Sequence, residues 1–284
     1  MKPNNKYTDL GLEFWANIKL LNQRLGYFER MTKENPKPDF VIPTVQQVKD
    51  TFVQEGLDFS KLVQGDKWTG LGKTLTGYFQ YRKKVLNTQV EPNLMDVKLA
   101  KALFIKMKNE LRPKCPLPMN KQKGKKKGFA FFTGIINMLI EANAHGNPCN
   151  YDPKELTTIT IGGFPVRALS RRIDGAFPSV INPVAIWEIK EYYYTTTFGS
   201  RVADGVYETL LDGFELKEVE ENLNKKVKHY LMIDDHFTWW TLGRSYLCRI
   251  VDMLHMGFID EALFGKEVVD RLPKLIKEWT KNLK

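Results

Sequence analysis

The chain has 284 residues, which is long enough to bury one large core or two modest ones. Hydrophobic residues make up 43% of it and charged residues 27%, as in ordinary globular proteins, so disorder is not the default. Lys and Arg number 43 against 33 Asp and Glu, and the formal net charge is +10. This surplus of positive charge favours a polyanionic partner, nucleic acid above all, or an anionic membrane surface.

The cysteines and the apolar runs indicate where the protein works. Cys115, Cys149 and Cys248 are too few and too scattered for a disulfide framework or a zinc cage, and they are typical of reduced thiols in a cytoplasmic protein. The first residues contain no apolar stretch of signal-peptide type. The best apolar run, residues 129–144, is interrupted by polar residues and falls short of a membrane span. The sequence therefore predicts a soluble cytoplasmic protein with no membrane partner.

Helical periodicity dominates the chain before residue 113. Apolar residues recur there at spacings of three and four, as one face of a helix requires: Leu10, Phe14, Ile18, Leu21 and Leu25. Thr44 starts a second predicted helix, and further helical stretches follow at residues 75–86 and 95–111. We therefore predict a helical N-terminal region, residues 1–112, as a candidate for DNA recognition or dimerisation.

A basic segment follows this region. Residues 112–128 carry seven positive charges, no acidic residue, three prolines and two glycines, which predicts an extended or mobile connector. We place a linker at residues 113–128. It is either a solvated linker or a strap on the DNA backbone, because closely spaced lysines neutralise phosphates. The candidates for this contact are Lys121, Lys123, Lys125, Lys126 and Lys127.

Residues 129–284 alternate between helical and strand patterns. The predicted elements are a helix at 129–144, strands at 157–161, 166–177 and 184–193, a helix at 202–216, a strand at 228–233, and helices at 245–256 and 261–283. This order predicts an α/β (α+β-like) fold with a mixed central sheet flanked by helices. Pro273 is expected to kink or split the last helix.

Acid-x-Lys triplets are the clearest chemical pattern, although short charged patterns also arise by chance. Four occur, and they begin at Asp96, Asp152, Glu188 and Glu215. The first lies in a helical stretch, the second in a turn and the last at the polar end of a helix. Only Glu188-Ile-Lys190 lies on an apolar strand, where alternate residues share a face. A carboxylate and an ammonium on a partly buried face are costly unless they pair or serve chemistry, so an ion pair and a catalytic site both remain open.

Asp174 adds a second acid, fourteen residues before Glu188. It lies in a strand-like segment, and residues 178–183 supply a turn long enough for an antiparallel return that brings the two acids together. Two carboxylates at one place repel each other, and a bound hard cation such as Mg²⁺ would relieve that repulsion. Lys190 at the edge of such a site could orient or help activate the attacking water.

Asp174 and the Glu188-Ile-Lys190 triplet resemble the signature of the PD-(D/E)XK nuclease superfamily, with Ile173 where the family name has proline. The helix before the strands and the helix after them are similar to the common core of that superfamily, and the resemblance covers residues 129–233. Among its members, a basic intracellular protein with a helical N-terminal extension looks most like a type II restriction endonuclease.

The resemblance implies roles for matching residues. Asp174 and Glu188 would be Mg²⁺ ligands together with the backbone carbonyl of Ile189, and Lys190 would be the catalytic lysine. Many members add a glutamate from the helix before the sheet, for which Glu141 is the candidate. A solvated carboxylate at the end of a helix is the alternative interpretation of that residue.

The resemblance also implies a substrate and partners. The implied reaction is Mg²⁺-dependent hydrolysis of double-stranded DNA, and cutting both strands of a duplex implies a homodimer. Arg171, Arg172 and Arg201 surround the proposed site in the sequence and are candidate DNA contacts, because arginine forks suit phosphates. A repair or junction-resolving nuclease with the same core is one alternative. A catalytically silent DNA-binding protein, whose acids and lysine form only an ion pair, is another.

Overall fold

The computed structural model describes residues 1–30, 32–35, 38–196 and 198–283, and the side chain of Arg201 lies outside this description. Its first elements are α1 (Leu12–Leu25), α2 (Val45–Gln54), β1 (Val63–Gln64), β2 (Lys67–Trp68), α3 (Gly70–Val85) and α4 (Val97–Leu111). Side-chain caps explain two of the helix starts. Thr44 forms a capping box with Gln47 at the start of α2, and the Thr69 hydroxyl accepts the Gly72 N–H at the start of α3.

The first three helices enclose a core of their own. The predicted apolar face of α1 supplies Phe14, Ile18 and Leu21, all of which are buried. They pack against apolar residues of α2 and α3: Val48, Phe52, Leu75, Tyr78 and Phe79. The helical periodicity predicted for this part of the chain is therefore confirmed, and burial of the apolar face is what stabilises it.

The rest of the chain builds a sheet with helices. In chain order its elements are α5 (Phe131–Asn143), β3 (Asn150–Tyr151), β4 (Thr158–Ile161), β5 (Phe164–Ala168), β6 (Gly175–Phe177), β7 (Ala185–Glu191), α6 (Ser200–Leu223), β8 (Lys228–Asp234), α7 (Arg244–His255), β9 (Glu261–Phe264) and α8 (Glu267–Lys281). Five strands form one sheet in the order β3-β6-β7-β8-β9. The β3-β6 and β6-β7 pairs are antiparallel, and the β7-β8 and β8-β9 pairs are parallel. The predicted α/β fold with a mixed central sheet is confirmed.

Helices cover both faces of this sheet. On one face α4, α5 and α8 pack against Trp187 and Leu263. On the other face α6 and α7 pack against residues that include Ile186 and Leu231. Because side chains alternate along a strand, Glu188 and Lys190 of β7 share the face of Ile186. This packing makes α6 the helix that can reach the triplet.

Three predictions about the elements differ from the structure. The strand predicted at 166–177 is divided into β5 and β6, because β5 pairs with β4 in a separate hairpin and leaves the central sheet. The helix predicted from residue 261 starts later, since Glu261–Phe264 is the buried strand β9. Periodicity alone cannot distinguish a strand from a buried helical segment in so short a run. Pro273 lies inside α8, which is continuous and keeps Leu272 and Leu275 buried on either side of it.

A buried ion pair joins α3 to α7. Arg82 Nη1 donates to both carboxylate oxygens of Asp252, each at 3.0 Å, and Arg82 Nη2 donates to Asn22 Oδ1 at 2.9 Å. The Tyr78 hydroxyl donates to Asp252 Oδ1 at 2.6 Å. The N-terminal helices are thus fixed to the sheet-bearing part of the chain through a desolvated charge pair.

Helix α5 contains most of the longest apolar run of the sequence. Most of its side chains are buried against the sheet and α4, and they belong to the apolar core that also contains Trp187 and Leu263. In the described part of the chain, no helix has both the length and the apolar character needed to cross a bilayer.

Candidate active site at the end of strand β7

A cleft of about 910 Å³ opens where β7 ends. The starts of β6 and α6 and the end of β7 line it, together with residues 116, 118–122 of the basic linker region. Asp174, Glu188 and Lys190 all face this cleft. The structure therefore brings together the three residues that the sequence pattern singled out.

Asp174 lies one residue before β6. The antiparallel register of β6 and β7 pairs Gly175 with Trp187, which places Asp174 opposite Glu188. Asp174 Oδ2 accepts a hydrogen bond from the Ile189 N–H at 2.7 Å. Burial and the negative charge of Glu188 raise the pKa of Asp174 to about 7. The charged form of this carboxyl group is therefore unfavourable unless a cation binds next to it.

Glu188 and Lys190 are buried side by side on β7, with 0% and 7% of their surface exposed. Lys190 Nζ donates to Glu188 Oε2 at 2.8 Å. Burial alone would raise the pKa of Glu188, but the positive charges of Lys190 and Arg171 outweigh it and lower that pKa. Burial would lower the pKa of Lys190, but the charges of Glu188 and Asp174 hold it above its usual value. Lys190 is therefore a protonated donor rather than a base.

Arg171 binds the acids of this site. Its Nη1 atom donates to Glu188 Oε1 at 2.8 Å and to Asp212 Oδ2 at 2.6 Å, while its Nη2 atom donates to Glu188 Oε2 at 3.2 Å. The Arg171 side chain keeps 23% of its surface exposed and also lines the cleft. Its predicted contact with DNA stays a prediction. The structure gives it three carboxylate partners within the protein, since Glu208 Oε2 also lies 3.4 Å from its Nη2 atom.

Two acids of α6, Glu208 and Asp212, complete the cluster, and neither was predicted from the sequence. Glu208 Oε2 lies 3.4 Å from Lys190 Nζ. Asp212 is fully buried, and in the described part of the chain its Oδ1 atom has no hydrogen-bond partner. Burial and the charge of Glu188 raise the pKa of Asp212 to about 7. The available signal was the spacing of four and three between Glu208, Asp212 and Glu215, which puts three acids on one helical face.

The cluster holds more negative than positive groups. Four carboxylates face two cations: Asp174, Glu188, Glu208 and Asp212 against Arg171 and Lys190. Four minus two leaves two negative charges when every group is ionised, which one divalent cation would neutralise.

The described residues contain no group of three or more His, Cys, Asp or Glu side chains arranged to ligate a metal ion. Asp174 and Glu188 could still hold one as a pair, with the carbonyl of Ile189. The further oxygen ligands would then come from water or substrate, as is usual for Mg²⁺.

Glu141 lies outside this cleft. Its carboxylate oxygens accept the N–H of Lys114, a residue of the basic linker, at 3.2 and 2.9 Å. Helix α5 instead approaches the cleft through Thr133, whose N–H and hydroxyl each donate to Glu191 Oε2 at 3.0 Å. The structure thus does not bring the predicted catalytic Glu141 to Asp174 and Glu188.

The predicted phosphate-binding lysines lie on one loop. Lys121, Lys123, Lys125, Lys126 and Lys127 are all exposed, and none of them forms an ion pair with a carboxylate among the residues described. The loop is closed by the Asn120 N–H, which donates to the Gly128 carbonyl at 2.8 Å. Lys121 lines the cleft directly. Arg172 is exposed, and the predicted contact of the Arg201 side chain lies outside the description.

Family models match both parts of the chain. A model described as a domain of unknown function (DUF7687) matches residues 95–279, and a second model described in the same way (DUF7690) matches residues 1–89. No curated protein and no solved structure matches the chain. The whole acidic cluster lies within the longer match.

Proposed function

The chain belongs to the DUF7687 family, and from its site we propose that it is a Mg²⁺-dependent endonuclease that hydrolyses phosphodiester bonds of double-stranded DNA. We propose further that it acts as a sequence-specific type II restriction enzyme, as the PD-(D/E)XK resemblance implies. One observation carries this proposal. Asp174 and Glu188 lie opposite each other on the β6-β7 pair, with Lys190 on the face of Glu188, in a cleft beside the lysine loop.

The residues of the cluster fit a divalent cation. Asp174 and Glu188 would hold Mg²⁺ with the carbonyl of Ile189. A cation is favoured here by the surplus of two negative charges and by Asp212 Oδ1, which has no hydrogen-bond partner among the described residues. When bound, Mg²⁺ supplies an activated water and a polarised phosphate. Lys190, which is protonated, would donate a hydrogen bond to the water or to a phosphate oxygen and so orient it.

The surroundings of the cleft support DNA as the substrate. Five exposed lysines lie within residues 121–127, and the first of them, Lys121, lines the cleft. Together they would neutralise backbone phosphates. Cleavage of both strands of a duplex calls for two active sites, so we propose a homodimer. All three cysteines are free, which agrees with a cytoplasmic location for the protein.

Digestion of plasmid DNA with Mg²⁺, and in parallel with EDTA, tests the activity. We expect discrete fragments with Mg²⁺ and none with EDTA, whereas smearing or branch-dependent cutting would favour the repair or junction-resolving alternative. Glu188→Gln and Asp174→Asn should each lower the cleavage rate about 100-fold or more. Glu218→Gln is the matched control, because Glu218 is an exposed acid of α6 that pairs with Arg167 away from the cleft. Equal cleavage by Glu188→Gln and wild type would refute the site.

One observation favours a second candidate, a DNA-binding protein without activity. Arg171 and Lys190 together donate to both oxygens of Glu188, as in a closed structural ion-pair network. Such a protein would retard DNA in a gel-shift assay but cut no DNA with either Mg²⁺ or Mn²⁺. Loss of binding after substitution of the loop lysines, with no cleavage at any stage, would support this candidate over the nuclease.

A further inference from the structure

Arg171 occupies the carboxylate that the proposed function assigns to a metal ion. Its two Nη atoms donate to the two oxygens of Glu188 at 2.8 and 3.2 Å. A metal ion and a guanidinium compete for such a carboxylate, because both need its lone pairs and both are attracted by its single negative charge. Binding of a cation to Glu188 therefore requires Arg171 to give up at least one of these contacts.

Helix α6 offers Arg171 another set of partners. Asp212 Oδ2 accepts from Arg171 Nη1 at 2.6 Å, and Glu208 Oε2 lies 3.4 Å from Nη2. Arg171 comes from the irregular segment between β5 and β6, and its side chain is partly exposed to the cleft. The guanidinium can thus leave Glu188 and stay paired with the acids of α6, with donors turned toward the cleft.

We propose that Arg171 is a resident cation that competes with the metal ion for Glu188, and that Asp212 is the positioning residue that draws Arg171 away when the metal ion binds. This inference rests on the proposed function. Arg171 released from Glu188 presents a planar fork of N–H donors to the cleft, where a DNA phosphate fits it. A metal ion that displaces Arg171 from Glu188 leaves Arg171 available to a phosphate, and a phosphate that binds Arg171 leaves Glu188 available to a metal ion. The two ligands therefore favour each other's binding.

Titration with Mn²⁺, with free Mn²⁺ measured by electron paramagnetic resonance, tests the inference without DNA or turnover. Arg171→Met is expected to bind Mn²⁺ about fivefold tighter than wild type or more, and Asp212→Asn about fivefold weaker or more, since Arg171 then rests on Glu188. Arg171→Lys shows whether Mn²⁺ affinity depends on the contact of Arg171 with Glu188 or only on its positive charge. It keeps the positive charge but loses the two-point contact, so it should also bind Mn²⁺ more tightly than wild type.

Arg167→Met is the matched control. Arg167 pairs with Glu215 and Glu218 of α6 and makes no contact with Glu188 in the described part of the chain. Its loss should therefore leave the Mn²⁺ affinity unchanged. Arg171→Lys carries the test alone if circular dichroism shows that Arg171→Met is unfolded. Unchanged or weaker Mn²⁺ binding by folded Arg171→Lys overturns the inference and leaves the proposed function standing. No saturable Mn²⁺ binding by wild type or by folded Arg171→Lys overturns both.

Discussion

Arg82→Met tests how the N-terminal helices are held to the rest of the chain. The substitution deletes the cation of the buried pair between α3 and α7 but keeps much of the apolar length of the side chain, so no large cavity is made. Arg82 and Asp252 have only 3% and 10% of their side-chain surface exposed. The change therefore leaves the Asp252 carboxylate buried and without its cation.

The expected cost follows from the contacts that remain. Removal of one partner of a buried ion pair typically costs about 3–5 kcal/mol, because the other charge stays desolvated. The Tyr78 hydroxyl still donates to Asp252 at 2.6 Å, so we expect the lower end, about 3 kcal/mol. The neighbouring residue supplies the control. Lys83 pairs with Asp39 at the surface, where the side chains are 32% and 48% exposed, and Lys83→Met should cost less than about 1 kcal/mol.

Urea unfolding followed by tryptophan fluorescence and by far-ultraviolet circular dichroism gives the free energy of unfolding of each variant. We expect Arg82→Met to lose clearly more stability than Lys83→Met. Equal losses in the two variants, both below about 1 kcal/mol, would refute the argument that this buried pair fixes α3 to α7.

Two further predictions concern the strand pair that holds the site. Gly175→Ala places a Cβ atom 2.1 Å from Trp187 Cζ2 and should cost about 1–3 kcal/mol in thermal unfolding. Gly70→Ala, at the exposed first residue of α3, meets nothing within 4 Å and should change stability by less than about 0.5 kcal/mol. Similar melting temperatures for the two variants would contradict this reasoning. Because the pKa of Asp174 is raised to about 7, the folded protein binds more protons there than the unfolded protein between about pH 4 and about pH 7, so this group's contribution to stability falls as the pH rises through that window. Asp174→Asn should make the decline of melting temperature with pH shallower, and an unchanged slope would show that Asp174 does not titrate there.

Local rules were sufficient for much of the fold. A period of 3.6 residues predicted α1, and a period of two placed Glu188 and Lys190 on one strand face, since both periods follow from backbone geometry within a few residues. The same rules gave the wrong strand boundaries where the pairing between strands decides the structure. Residues 166–177 have strand character throughout, but β5 pairs with β4 and β6 pairs with β7, so the chain must turn between them.

Glu141 and Arg171 show the same limit for the site. Glu141 was assigned because it lies on the helix before the sheet, and Arg171 because it lies close to the proposed site in the sequence. The structure turns Glu141 toward Lys114, while Arg171 meets Asp212, which lies 41 residues away in the sequence. The rotation of a helix about its axis relative to the sheet decides such contacts, and many distant apolar residues set that rotation together.

The sequence by itself determined the chemical inventory of this protein: an acid-x-lysine triplet on a buried strand, a second acid ahead of a turn, and a run of lysines without acids. Each of these depends on residues close together in the chain. Only the tertiary structure decided that Arg171 and the acids of α6 share the site with Glu188. The charged side chains of the site acquire their ion-pair partners only when distant elements pack together. Because these groups are then buried, an unpaired charge would be costly, so the pairing contributes strongly to the free energy of the fold.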